Sequence, residues 1–206
     1  MASRTRDKLI DVARQLFAHK GVDNTTMNDI ATASDKGRRT IYTYFKSKRD
    51  IYNAVVKNES EIVIERLEKV RQMNVEPENK LMEFIFVRFD AVKESVQRNG
   101  SLRALFFRDV RQVNRVRRST MSREVAILED ILSEGVRKGV FRVRHIDQTA
   151  KVMILCLQGL DVPYIRNSFE EMGIEPGKLR IYIRDFILYG IKMGDQTLRL
   201  TDLRME

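Results

Sequence analysis

Residues 26–48, TMNDIATASDKGRRTIYTYFKSK, constrain this chain more tightly than any other stretch. They read as two short helices separated by a tight polar turn. Thr26 and Asp29 form a capping-box pair that opens the first helix. Met27, Ile30, Ala31 and Ala33 supply its small apolar surface. Ser34, Asp35, Lys36 and Gly37 make the turn, and Asp35 can adopt the left-handed conformation or cap a helix. The next helix, over 38–45, sets Ile41 and Phe45 four residues apart and facing inward. Its remaining positions are crowded with cations, hydroxyls and tyrosines.

An amphipathic helix precedes the pair. Leu9, Ile10, Ala13, Leu16 and Phe17 recur at three- and four-residue intervals between Arg4 and Lys20, and Gly21 stands at the expected C-terminal cap. Ser47 and Asp50 repeat the capping pattern and open a fourth helix to about Gln72. Pro77 suits the first turn of a fifth helix over 78–98, where Leu81, Phe84, Ile85, Val87, Phe89 and Val92 are apolar around so much of the circumference that central burial is expected. After a break at 99–101, the pattern predicts a short helix over 102–108 and a long one from Asn114 to Lys138. Asp147 can cap an eighth helix running to about Ser168, and Pro176 can open a ninth ending near Gly194. The reading is all-α with about nine helices. A three-helix helix-turn-helix domain over 1–47 precedes a helical domain over 48–206.

Composition agrees with long helices: 3 Pro and 10 Gly in 206 residues, with 43% apolar residues, enough for a folded core. The net charge is +9, and residues 1–50 hold 11 Lys/Arg against 6 Asp/Glu, so the basic excess concentrates beside the short helices. The longest apolar run, 152–157, is six residues, far below the roughly 20 that span a bilayer, so no membrane association is expected. The start of the chain does not read as a signal peptide. The one cysteine, Cys156, lies inside the apolar run and is expected to be buried; a cytoplasmic setting follows. There is no phosphate-binding glycine loop, and His19 and His145 lack metal-ligand spacing. No cofactor, metal or catalysis is expected.

Cationic and hydroxyl side chains on a short second helix fit the major groove of double-stranded DNA. Arg38 and Arg39 can each pair bidentately with guanine O6 and N7, and Thr43 can hydrogen-bond a base or touch a thymine methyl. Thr40, Tyr42 and Lys48 carry groups suited to phosphate, with Thr26 and Lys36 beside them. Residues 9–55 then show a family resemblance: the helix ending LFAHKG, the pair TTMNDIA and the run TIYTYFKSKRDIY resemble the N-terminal domain of TetR-family regulators. The resemblance implies phosphate contacts from Thr26, Tyr42 and Lys48, a recognition helix over Thr40 to Phe45, and a C-terminal ligand-binding and dimerisation domain. The turn departs from the family pattern at Asp35, Lys36, Gly37 and Arg39.

One reading helix buries little surface, so such proteins pair on palindromic sites. The expected homodimer seam is Val152, Leu155 and Gly159 with Ile183, Phe186, Ile187, Gly190 and Ile191, which the resemblance places in a four-helix bundle. Expected pocket residues for a small-molecule effector are the apolar Phe86, Phe89, Phe107, Met121, Met153 and Tyr164, with Asp90, Gln158 and Asp161 as polar orienting groups. The functional expectation is a homodimeric repressor released from its operator by a small ligand. Alternatives are a C-terminal domain that binds a protein partner, or a local activator.

Overall fold

The computed structural model describes residues 2–98 and 110–191, and these are helical with short connections. Helices α1 (Ala2–Lys20), α2 (Met27–Ala33) and α3 (Arg38–Tyr44) precede the long α4 (Lys48–Arg71). They are followed by α5 (Pro77–Arg98), α6 (Val110–Arg137), α7 (Ile146–Arg166), α8 (Ser168–Glu171) and α9 (Pro176–Ile191).

Two apolar cores form. The first joins Leu9, Ala13 and Phe17 of α1 to Ile30, Ile41, Phe45 and the first turns of α4 through Ile51, Tyr52 and Val55. The second begins at Val63 on α4 and gathers Leu81, Phe84 and Phe89 of α5, Leu128 and Ile131 of α6, and Ile154 and Leu157 of α7. Helix α4 therefore belongs to both cores, and it packs against α1, α5 and α6. Helix α4 is thus the one helix with buried side chains in both cores among the described residues.

Local signals set the first three helices. Gly21 has φ 81° and returns its N–H to Phe17, which ends α1. The Thr26 hydroxyl accepts from Asp29 N–H at 3.1 Å, while the Asp29 carboxylate accepts from Thr26 N–H at 2.8 Å, completing the capping box. Asp35 has φ 55°, the left-handed turn residue anticipated between α2 and α3.

Other boundaries differ from expectation. Asp147 does not cap α7: His145 occupies the N-cap without a side-chain bond, and Asp147 lies in the first turn, where it accepts from Gln148. Helix α6 begins at Val110 rather than Asn114. Helix α7 stops at Arg166 because Asn167 turns left-handed, and the four-residue α8 follows, which periodicity does not reveal. The helix expected over 102–108 and the end expected near Gly194 lie outside the described residues.

After α6 the chain turns at Gly139 (φ 70°) and folds Phe141 back under the helix. Phe141 is 2% exposed, and a Cβ at Gly135 would overlap its ring. Alanine normally gains about 1 kcal/mol over glycine in a helix, but here the overlap dominates. Gly135→Ala is expected to lower unfolding stability by about 1–3 kcal/mol, read from the urea midpoint.

Candidate functional site

Helix α3 stands on one buried side chain, Ile41, with Thr40 and Tyr44 half-covered. Its exposed face carries Arg38, Arg39, Tyr42 and Thr43, so four of the expected DNA-contact residues share one accessible surface. The Thr43 hydroxyl donates to the Arg39 carbonyl at 3.1 Å. Arg6, from the first turns of α1, lies 5.4 Å from the centre of the Phe45 ring and ties the start of α1 to the end of α3.

The flanking groups are already positioned. Thr26 sits exposed at the N-terminus of α2 with its side chain in the capping box. Hydrogen bonds from the Thr26 backbone and hydroxyl hold the Asp29 carboxyl below its ordinary range, so the cap is charged at neutral pH. The Lys48 ammonium donates to the Asp23 carbonyl at 3.1 Å, fastening α4 to the α1–α2 loop. An ammonium has three protons, and two remain for phosphate. Lys36 is half-buried in the turn, with its N–H on the Ala31 carbonyl. Gly37 occupies the N-cap of α3 with φ −63°, a conformation open to any residue.

In the second domain the expected pocket residues divide. Phe86, Phe89, Asp90 and Tyr164 come together: Phe89 and Tyr164 stack at 4.8 Å, Phe86 meets Phe89 edge-on, and the Tyr164 hydroxyl donates to Asp90 at 2.6 Å. Burial and the Asp90 carboxylate push the Tyr164 phenol well above its ordinary range, which keeps it protonated. Lys93 and Arg180 lie over the Tyr164 and Phe86 rings. An open cleft of about 140 Å³ borders Tyr164, Lys93 and Phe169, and another of about 270 Å³ borders Phe86, Met82 and Arg180. Met121 and Met153 pack against the same core, Gln158 is half-exposed, and Phe107 lies outside the described residues.

Asp161 has a different place from the ligand-orienting one expected. It is 2% exposed, and its two carboxylate oxygens accept from Arg88 at 2.7 and 3.2 Å. Arg88 is fully buried on α5 and also donates to Glu124 of α6 at 2.9 Å. Burial pulls the guanidinium toward neutrality, but the Asp161 and Glu124 carboxylates outweigh it and hold the group charged. This three-helix ionic node was not anticipated. The signal available was a lone arginine amid the apolar positions of α5.

The expected seam divides as well. Val152 (58% exposed), Leu155 (56%), Gly159, Phe186 (81%) and Gly190 face outward. Ile183 is 8% exposed, and Ile187 and Ile191 pack on the protomer's own core. The outward face of α9 carries the expected Phe186 and Gly190 together with Tyr182 and Tyr189 (85%), two aromatic residues absent from the expected seam. Cys156 joins the outward face of α7 and is exposed, not buried as expected, because it follows Leu155 on the side away from Ile154 and Leu157. A Cβ at Gly159 or Gly190 would meet nothing within 4 Å.

Residues 9–55 match the model for bacterial regulatory proteins of the tetR family. A biofilm-operon negative transcriptional regulator, IcaR of Staphylococcus aureus, is 44% identical over 52 residues, 25% of this chain, and the match spans only 28% of that relative's length. The transcriptional repressor KstR2 of Mycolicibacterium smegmatis is 29% identical over 147 residues, 68% of this chain and 69% of its own. Among solved structures, a TetR/AcrR-family transcriptional regulator from Thermobifida fusca superposes with a TM-score of 0.61 at 24% identity, over 90% of this chain and 97% of that one. Among the described residues no helix is long and apolar enough to cross a membrane.

Proposed function

The chain is a TetR-family transcriptional regulator, and from that premise we propose that it acts as a cytoplasmic homodimeric repressor, released from a palindromic operator by a small molecule. The observation that carries this reading is the separation of two unpartnered surfaces. One is the exposed Arg38, Arg39, Tyr42 and Thr43 face of α3; the other is the apolar face of α7 and α9. A surface with Phe186 and Tyr189 more than four-fifths exposed is unusual for a monomer and suits burial against a second copy. Two copies then present two reading helices to half-sites about one helical turn apart.

Release follows from the shared helix. Helix α4 carries side chains in both cores, and ion pairs fasten it to the second domain: Arg66 to Glu94 of α5 at 2.6 Å and Arg71 to Asp130 of α6 at 2.9 Å. Of the arginines over 108–123, Arg123 lies where side chains are described, and it pairs with Glu61 of α4. A ligand that spreads α5 and α7 beside the Phe86, Phe89 and Tyr164 cluster moves α4 and changes the spacing of the reading heads. A second apolar occupant, a protein partner, would compete for the α7–α9 face rather than enter that cluster.

The test is a titration of purified protein against the duplex flanking its own gene and a scrambled duplex at several salt concentrations. The expected result is two chains per native duplex and a preference that persists as salt rises. Equal binding to both duplexes, collapsing with salt, would reduce the interaction to phosphate attraction and overturn the operator reading.

A further inference from the structure

Helix α3 has a geometry that separates its two arginines. At about 100° per residue, Arg39 and Thr43 each lie about 160° from the buried Ile41, on either side of the direction pointing away from the core. Arg38 lies only about 60° from Ile41 and Tyr42 about 100° in the same sense, which places both on one flank. Arg39 and Thr43 are therefore the outermost pair, and both are exposed. The Arg39 guanidinium has no carboxylate partner among the described residues, unlike Arg14, Arg66 and Arg71, which are paired. Thr43 differs. Its hydroxyl proton is engaged by the Arg39 carbonyl at 3.1 Å, one helical turn back, so it has no donor left for thymine O4, and toward a thymine edge the group it offers is its methyl.

We infer that Arg39 and Thr43 read one guanine and one thymine in each half-site, Arg39 through guanine O6 and N7 and Thr43 by methyl-to-methyl contact with the thymine. The two residues are about 6 Å apart along the helix axis. Stacked base pairs are about 3.4 Å apart, so the guanine and thymine lie one or two steps from each other. Arg38 and Tyr42 on their common flank, with Lys48 at the start of α4, grip the phosphates and set the register without naming bases. This assignment rests on the operator reading above and specifies its chemistry.

The experiment enriches duplexes from a random library with the full-length protein, then alters single atoms in the enriched sequence. Replacing the critical thymine by deoxyuridine removes one methyl and is expected to weaken binding about fourfold. Replacing the critical guanine by 7-deazaguanine removes the N7 acceptor, with an expected loss of about tenfold. Thr43→Val keeps the methyl and should retain the response to deoxyuridine, whereas Thr43→Ser keeps the hydroxyl and should lose it. Arg39→Ala should bind the 7-deazaguanine and native duplexes equally. Both positions tested are on the exposed face, and unchanged circular dichroism checks that the three variants fold. If Thr43→Ser retains the preference and Thr43→Val loses it, the hydroxyl reads the base and the assignment is overturned. Enriched duplexes indifferent to every thymine methyl overturn it as well, while leaving the operator reading intact. Failure to enrich any sequence would sink the operator reading itself, and the assignment with it.

Discussion

Replacing Arg88 by alanine is expected to destabilise the second domain by about 3–5 kcal/mol, the cost of breaking a buried ion pair by removing one partner. Arg88 is fully buried on α5 and bridges Glu124 of α6 and Asp161 of α7, both nearly inaccessible. Truncation leaves two carboxylates facing a cavity with no cation between them, and the hydrogen bonds that Arg88 gave them are gone. Against a typical total stability of about 5–15 kcal/mol, that loss lowers the melting temperature by roughly 10 °C or more. Arg88→Lys keeps the charge but cannot hold Asp161 bidentately while also reaching Glu124, so an intermediate loss is expected. The triple variant Arg88→Met, Glu124→Gln and Asp161→Asn tests the cause, since removing every charge together should recover much of the stability. Thermal and urea denaturation of the three proteins decides it. An Arg88→Ala protein as stable as the parent would mean that solvent reaches the node and that it does not hold α5, α6 and α7 together.

The N-terminal domain was legible because its determinants are local. Thr26 and Asp29 are three residues apart, Gly21 and Asp35 sit where left-handed backbone is needed, and Ile41 marks the one inward position of α3. The Arg88 node was not legible, because its bonds join residues 36 and 73 positions apart and no periodicity connects them. Helix α9 shows a different difficulty. It is apolar over most of its circumference, so spacing alone permits two stripes. The stripe Ile183, Ile187 and Ile191 goes inward with Leu188, and the aromatic stripe of Tyr182, Phe186 and Tyr189 goes out. Branched aliphatic side chains fill a tight core, and tyrosines keep a polar tip for a wetter surface. Residue type, added to period, separates the tyrosines from Ile183, Ile187 and Ile191 but not Phe186, which has no polar tip and is exposed all the same. Cys156 was misjudged for the same reason: apolar neighbours in sequence point to opposite sides of α7.

Placing a charge at Phe186 is expected to turn a dimer into folded monomers and to cut operator affinity at least 100-fold. A two-fold interface meets itself, so every substitution counts twice. Burying a Phe side chain contributes about 1.5–3 kcal/mol, and its loss from both copies alone removes roughly 3–6 kcal/mol of association energy. Phe186→Asp adds two carboxylates that must be dehydrated within the proposed seam or prevent contact altogether. Because Phe186 is 81% exposed in the protomer, the substitution touches no core contact, and the melting of the isolated chain should stay near that of dissociated parent protein. Sedimentation velocity at micromolar concentration reads the mass, and anisotropy with the enriched duplex reads the affinity. One reading head without its twin keeps only half of the phosphate and base contacts, so its binding should also become less steeply salt-dependent. Ile183→Asp provides the contrast. Its side chain is 8% exposed and packs inward, so that variant should unfold rather than dissociate. A Phe186→Asp protein that sediments as a dimer and binds the duplex normally would exclude the α7–α9 face as the seam. The aromatic stripe of α9 would then be left for a different macromolecule to cover.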